Sequence, residues 1–439
     1  MTPDLHLFGG ADRRHALVVD GSRIYDLDPS TASALQAAEE DPIALRAMLS
    51  DLGLQPARPY VDAAPLAPPP IRGLSLAVSA SCNLACTYCY AQQGGFGGAA
   101  SPMEWAVAQQ AIDRLLAAAE PRSAVTIAFL GGEPLVNRAL VRRATLYAEA
   151  QSAARNVTPR FSITTNGTLL DSSDADFFDA HRFAVTISLD GVGAVHDRQR
   201  PFRGGGGSYE RILKRIAPLL EGRGRMHVSA RVTVTPRSGD LAATLDHFIA
   251  LGFHSVGFAP VLAAPSGCDE LAAGEVEALL PSMIACGREF ERRVAAGERY
   301  PFSNMESAME QLHRGTHRPY PCGAGAGYLG VSSAGGLFAC HRFVDDARAA
   351  MGSVARGADD RRRTIWLSER HVDRQEPCHV CWARYLCGGG CHHEVINRGR
   401  SACEYIRGWL HYCLEAYVRL LDRRPDYFGE PARPAAAPA

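Results

Sequence analysis

The sequence predicts an α/β protein: an open, partial (β/α)6 barrel, preceded by a small N-terminal α+β unit and followed by a cysteine-rich extension. Three observations predict this. Between residues 73 and 298, apolar strand-like runs alternate with amphipathic helical patterns six times, and such alternation implies right-handed crossovers and a parallel sheet. Six units fall short of the eight that close a barrel. A proline-rich stretch precedes the alternation, and after residue 300 glycine and cysteine rise while strands shorten.

The elements follow in order. His15–Asp20 and Arg23–Leu27 read as two short strands joined by the turn Asp20-Gly21-Ser22. Helical patterns occupy 31–40 and 42–52, the second closed by Gly53. Residues 1–56 therefore form one unit, and the prolines of 57–72 mark a linker. The predicted strands of the 73–298 core are 74–80, 124–130, 160–165, 183–189, 227–235 and 255–262. Helices are predicted at 101–119, 134–155, 208–220, 240–251 and 270–296. Residues 299–425 form the cysteine-rich domain. The tail of 426–439, which ends in the proline- and alanine-rich run Pro431–Ala439, is expected to be disordered.

Composition excludes several classes. The net charge of −1 leaves no electrostatic footprint for nucleic acid or for an anionic membrane. No apolar run reaches the roughly eighteen residues of a membrane span, and Met1-Thr2-Pro3-Asp4-Leu5-His6 lacks the layout of a signal peptide. Lys214 is the only lysine, which argues against Schiff-base catalysis. Thirteen cysteines without an export signal should be reduced thiols available to metals. A cytoplasmic metalloprotein is expected.

The densest chemical signal is Cys82-Asn83-Leu84-Ala85-Cys86-Thr87-Tyr88-Cys89. Thiolates are the soft ligands that iron–sulfur clusters demand. A triplet holds three irons of a four-iron cube and leaves the fourth open for chemistry. A structural zinc site, by contrast, closes four ligands, usually as two recurring Cys pairs. With an aromatic residue before the third cysteine, this C-x3-C-x2-C run resembles the radical S-adenosylmethionine (SAM) superfamily. The resemblance implies that Cys82, Cys86 and Cys89 hold the cluster that cleaves SAM, with Tyr88 against the cofactor.

The second predicted strand ends in Gly131-Gly132-Glu133-Pro134, which matches the GGEP motif of that superfamily. There the motif meets the SAM amino group. Glycines permit close backbone approach and a carboxylate complements an ammonium. Three further strand ends align by the same resemblance: Thr165-Asn166-Gly167, Ser188 with Asp190, and Arg231. Asn166, Ser188 and Arg231 would reach the ribose and carboxylate of SAM; each reads equally well as a turn or core-edge polar group.

Cys378-x2-Cys381-x5-Cys387-x3-Cys391, preceded by Cys322 and Cys340 and followed by Cys403, resembles the SPASM extension. The family's interleaved ligation implies two auxiliary four-iron clusters. Cys322, Cys340 and Cys391 would hold the first; Cys378, Cys381, Cys387 and Cys403 would hold the second. The extra cysteine that sulfatase-maturing enzymes place soon after the first of the set is missing. One iron is then open or carried by another ligand such as Cys413. Cys286 reads as a buried small hydrophobe. His392 and His393 follow a cluster cysteine and invite a metal role, but read at least as well as solvent-side or outer-shell groups. Asp345 and Asp346 read as acid/base candidates or equally as solvated loop charges.

Within the superfamily, Tyr90–Gly97, Cys387–Cys391 and Cys403-Glu404 with Cys413 resemble the subgroup that installs thioethers in ribosomal peptides. Cys391-His392-His393-Glu394 and Tyr405-Ile406-Arg407-Gly408-Trp409 resemble quinohemoprotein amine dehydrogenase maturation proteins. The resemblance implies an oxidoreductase that reductively cleaves SAM to a 5′-deoxyadenosyl radical and crosslinks cysteine sulfur to side-chain carbons of a peptide or small protein subunit. Its cofactors would be SAM and three [4Fe-4S] clusters, and a flavodoxin- or ferredoxin-type protein would be its reductant. A carbon–carbon crosslink, epimerisation and formylglycine formation are the alternative chemistries, and a passive electron carrier is the non-enzymatic one. Residues 1–56 read equally as a RiPP recognition element, which adds a leader peptide to its sheet edge, or as a plain cap.

Overall fold

The computed structural model describes residues 4–10, 13–54, 59–62, 64–97, 101–221 and 224–429. Two compact units divide the chain. One comprises Met1–Pro65, Val276–Cys322 and Ser368–Ala439; the other comprises Leu66–Glu275 and Gly323–Leu367.

In the first unit, β1 (Leu5–Gly9), β2 (Arg14–Val18) and β3 (Arg23–Leu27) form an antiparallel sheet in that order. The sequence predicts two strands here, and β1 is the addition. It belongs to the core of the unit, where Leu5 packs with Ala16, Val18, Leu35 and Leu49. Helices Pro29–Ala38 and Pro42–Asp51 follow, each with proline in its first turn and an aspartate, Asp28 or Asp41, accepting from its first free N–H groups. Further on, helix Ala273–Ala295 runs into this unit. There it meets helix Cys403–Arg423 through Glu291, which accepts from Tyr412 Oη at 2.5 Å and from Arg419 Nε at 2.9 Å.

The second unit is built on a ten-stranded sheet. Its strands are β4 (Gly73–Ser79), β5 (Ala124–Gly131), β6 (Thr158–Thr165), β7 (Ala184–Ser188), β8 (His227–Val234) and β9 (Ser255–Pro260), then β10 (Tyr328–Val331), β11 (Gly336–Phe338), β12 (Ala350–Ser353) and β13 (Gly357–Ala358). The order is β13-β12-β11-β10-β4-β5-β6-β7-β8-β9. The six predicted strands are all present, pair in parallel in chain order and stay open, as expected of a partial barrel. What the sequence does not announce is the continuation: β10 pairs in parallel with β4 and brings an antiparallel ribbon to its edge. Every residue of β4 is consequently buried, as parallel strands covered on both faces are.

Helices Trp105–Ala117, Arg138–Ala153, Tyr209–Leu220 and Leu241–Ala250 form the expected crossovers. Two short helices join them, Ser172–Ala180 and Ala194–Gln199. Of the predicted linker, 59–62 and 64–72 carry no helix or strand. Residues 55–58 and 63, and the tail from 430 to 439, lie outside the described residues. Among the described residues no helix is long and apolar enough to cross a membrane.

Candidate active site at the strand ends

Functional groups in a parallel sheet gather beyond the carboxyl ends of its strands, and the cysteine triplet does so here. Beyond β4 the chain enters a loop carrying Cys82, Cys86 and Cys89. Cys86, Tyr88 and Leu84 pack with Val261, Ala264 and Phe202, and Cys82 and Cys89 flank that cluster. Backbone bonds fix the loop: Ala85 donates to the Pro201 carbonyl at 2.9 Å, and Arg203 donates to that of Asn83 at 3.0 Å. Ser266 Oγ donates to the Thr87 carbonyl at 2.8 Å. Burial pushes the Cys86 thiol up to about 12 and raises that of Cys82, with the nearby Arg200 pulling both back. Leu84 N–H and Asn166 Nδ2 donate to Cys82 Sγ at 3.4 and 3.6 Å.

The Gly131-Gly132-Glu133-Pro134 turn lies against the root of this loop. Gly132 N–H donates to the Ser79 carbonyl and Glu133 N–H to that of Ser81, each at 2.8 Å. A Cβ on Gly131 would fall 2.3 Å from Ser79 O, and one on Gly132 2.3 Å from Ser81 O. The close approach these glycines permit is thus to the chain itself. Glu133 is fully buried. Its Oε1 accepts from Thr165 Oγ1 at 2.7 Å and Leu135 N–H at 3.0 Å, and its Oε2 accepts from Asn166 N–H at 2.7 Å. Burial raises its pKa and these three donors oppose the rise. Pro134 opens the helical turn that follows.

The remaining aligned positions separate by environment. The Asn166 side chain belongs to a polar ring: its Nδ2 donates to Asn83 Oδ1 at 2.9 Å, its Oδ1 accepts from Thr168 N–H at 2.9 Å, and Asn83 Nδ2 donates to Thr168 Oγ1 at 2.7 Å. Ser188 closes β7 in register with Arg231 of β8, whose side chain is exposed. Asp190 is fully buried; it accepts from Tyr88 Oη, from Thr233 N–H at 2.7 Å and from Arg200 Nη1 at 3.2 Å.

Sequence reasoning missed Arg200 and His196. His196 Nδ1 accepts from Asp190 N–H at 3.1 Å. Ser208 Oγ gives its proton to the Arg200 carbonyl at 2.6 Å, so the 3.0 Å bond to His196 Nε2 takes its hydrogen from the ring. His196 is therefore a neutral, Nε2-protonated imidazole, and burial lowers its pKa to about 3. The only sequence signal is a short polar run, His196-Asp197-Arg198-Gln199-Arg200, after Asp190-Gly191.

In the first unit, Cys378, Cys381, Cys387 and Cys403 are electrostatic neighbours of one another. Burial pushes Cys378 up to about 11, opposed by Arg400. Gly388, Gly389 and Gly390 all take left-handed φ, 71°, 91° and 77°. Only glycine adopts such a run cheaply, and it turns the Gly389 and Gly390 N–H groups onto the Cys387 sulfur. Cys391 caps helix His392–Arg398 and Cys322 is exposed, both in this unit, while Cys340 belongs to the other. Cys286 and Cys413 are fully buried in helices, and His392 and His393 are buried rather than solvent-side. Asp346 caps a short turn and pairs with Arg348 at 2.6 Å; Asp345 is exposed.

Among the described residues, no three His, Cys, Asp or Glu side chains stand at metal-ligand spacing. The thiols are gathered but not closed to coordination geometry. They nevertheless fit an iron–sulfur group: soft donors on one short loop, a buried cation beside them, and a buried Arg200 Nε with no hydrogen-bond partner among the described residues.

Comparisons with known proteins agree with this geometry. Residues 76–236 match the radical SAM superfamily. The serine-type anaerobic sulfatase-maturating enzyme of Klebsiella aerogenes is 27% identical over 372 residues, covering 82% of this chain and 89% of that protein. The structure of native anSMEcpe with bound AdoMet superposes with a TM-score of 0.67 at 18% identity, over 80% of this chain and 99% of the other. Streptococcus suis SuiB bound to precursor peptide SuiA superposes with a TM-score of 0.52 at 14% identity, over 92% and 97%. The fold is shared with both. The matched stretch carries both the cysteine triplet beyond β4 and the GGEP turn beyond β5, a cysteine-rich extension follows it, and radical SAM oxidoreductase activity is what this match and the shared fold support.

Proposed function

We propose that this enzyme matures a ribosomally made peptide or small protein subunit by joining cysteine sulfur to a side-chain carbon. The observation that carries the reading is the gathering of Cys82, Cys86 and Cys89 on one loop against the GGEP turn. The choice of thioether rests on the subgroup motifs at Cys387–Cys391, His392–Glu394 and Tyr405–Trp409. The titles of superposed structures support a peptide substrate: SuiB is bound to a precursor peptide, and anSMEcpe to AdoMet with a Cp18Cys peptide.

Cys82, Cys86 and Cys89 would hold a four-iron cluster, with Tyr88, Gly131, Gly132, Glu133, Pro134, Asn166, Ser188 and Arg231 disposed around SAM. When bound, this pair supplies a carbon-centred radical able to take hydrogen from an unactivated carbon. The chain's own part is positioning. Glu133 locks the ends of β5 and β6 together, the Asn83–Thr168–Asn166 ring holds the cysteine loop, and the apolar packing of Leu84, Val261 and Ala264 excludes water. Cys378, Cys381, Cys387 and Cys403 would hold one auxiliary cluster, and Cys322, Cys340 and Cys391 another. A flavodoxin- or ferredoxin-type protein would be the reductant, and residues 1–56 would add a leader peptide to their sheet edge.

The test is anaerobic: reconstitute the protein, add SAM, dithionite and cysteine-containing peptides encoded nearby, and follow 5′-deoxyadenosine and product mass. A thioether removes one hydrogen from sulfur and one from carbon and consumes an alkylatable thiol. A second reading is favoured by the 27% identity to the serine-type sulfatase-maturating enzyme across most of both chains: oxidation of a serine to formylglycine. That product also loses two hydrogens but leaves every thiol free. Retained 5′-deoxyadenosine formation in Cys82→Ala, Cys86→Ala or Cys89→Ala would sink both readings.

A further inference from the structure

We propose that Arg200 is a positioning residue whose buried charge sets the reduction potential of the cluster carried by Cys82, Cys86 and Cys89. The inference rests on the reading that these cysteines hold a cluster, and deepens it. Arg200 ends the short helix Ala194–Gln199 and is 9% exposed. Its Nη1 donates to Tyr88 Oη at 2.7 Å and to Asp190 Oδ2 at 3.2 Å, and Tyr88 Oη donates in turn to Asp190. This triangle ties the cation to the cysteine loop through Tyr88 and to the end of β7 through Asp190. Its carbonyl is fixed by Ser208 Oγ, which His196 holds from the other side.

Two independent facts aim this group at the cluster site. Its Nε is buried and has no hydrogen-bond partner among the described residues, although a buried polar atom left unpaired is costly. Its charge also faces four acidic groups, Cys82, Cys86, Asp190 and Glu133. Of these, Asp190 alone is hydrogen-bonded to the guanidinium; the two thiols are its neighbours without a bond to it. The two neighbouring thiols and the spare N–H make the site ready for bound thiolates and sulfides, whose potential follows net charge, hydrogen bonding to sulfur and solvent exposure. A fixed cation favours the more negative, reduced state and so raises the potential.

The experiment is a redox titration of the reconstituted full-length protein against dithionite. It reads the electron paramagnetic resonance signal that is lost in the Cys82→Ala/Cys86→Ala/Cys89→Ala variant, with iron and sulfide counted in each sample. Arg200→Gln is expected to keep its iron but to change the oxidised-to-reduced ratio at fixed potential by at least about tenfold toward oxidised, about 59 mV for one electron. Arg200→Lys, which keeps the charge, is expected to recover most of that change. Should Arg200→Gln fail to fold, Asp190→Asn decides: leaving the cation uncompensated should move the ratio the other way. A loaded loop with wild-type potential in Arg200→Gln, or an unmoved or lowered potential in Asp190→Asn, overturns the assignment. Iron, sulfide and signal unchanged in the triple cysteine variant would overturn the cluster reading beneath it, and the Arg200 role with it.

Discussion

The backbone N–H of Asn166 donates to Glu133 Oε2 at 2.7 Å, while the side chain of the same asparagine donates to Cys82 Sγ at 3.6 Å. One buried carboxylate thereby sets the position of a residue that touches a cysteine of the triplet. Glu133→Ala would strand three donors at Thr165, Leu135 and Asn166. At about 1–3 kcal/mol for each unsatisfied buried group, the expected loss is about 3 kcal/mol or more, read by urea denaturation of the apo protein. Glu133→Gln, which brings an NH2 among those donors, should cost about 1–3 kcal/mol. Wild-type stability in both variants would show that the carboxylate carries no structural role.

Gly132→Ala should destabilise by about 1–3 kcal/mol, the usual cost of overpacking, because its Cβ would stand 2.3 Å from Ser81 O and 2.8 Å from Gly94 Cα. Both neighbours are backbone, so neither can swing aside. Thermal unfolding followed by circular dichroism checks this, and an unchanged midpoint would contradict the packing.

His196 gives the fold a pH dependence of known sign. Its folded-state pKa, about 3, lies below the ordinary 6.5, so the unfolded chain binds the proton first. The stability it carries is complete above pH 6.5 and drains away as pH falls toward 3. Protonation would set a second ring N–H against the Asp190 N–H. His196→Gln should therefore flatten the stability–pH slope between pH 6 and 4 by up to about 1.4 kcal/mol per pH unit, the value for one proton. A parallel slope in wild type and variant would count against a neutral buried imidazole.

Cys403 and Cys413 sit on one helix but in different surroundings. Cys403 neighbours Cys378, Cys381 and Cys387, whereas Cys413 is fully buried beside Glu291. Cys403→Ala should lower the iron of the reconstituted protein by up to about four atoms per chain, the content of one cluster. Cys413→Ala should leave iron unchanged and cost stability as a core truncation. Iron analysis beside a denaturation curve separates the two, and iron loss in Cys413→Ala would make it a ligand.

The strands of the core were legible because a parallel strand buried on both faces writes a continuous apolar run, as β4 does. The helix Ser172–Ala180 was not, since Ser-Ser-Asp-Ala-Asp reads as a loop. Its signature was the reciprocal cap between Asp171 and Asp174. Cysteine ligands announce themselves by spacing on a local loop. Arg200 cannot, because its partner Tyr88 lies 112 residues away and only packing brings them together. The glycines of the GGEP turn were legible as close-approach positions, but what they approach, Ser79 and Ser81, is a tertiary fact.

The pairing of β10 with β4 has a consequence for how the chain is made. The strand leading into the cysteine loop ends at Ser79, yet its second neighbour is not synthesised until Val331. At roughly 5–20 residues per second, the ribosome leaves that edge open for tens of seconds. During that interval the loop hangs from a strand paired on one side only. Pairing with β10 and the ribbon behind it then closes the edge, so the strand that leads into the cysteine loop is completed by the last part of the sheet to be translated.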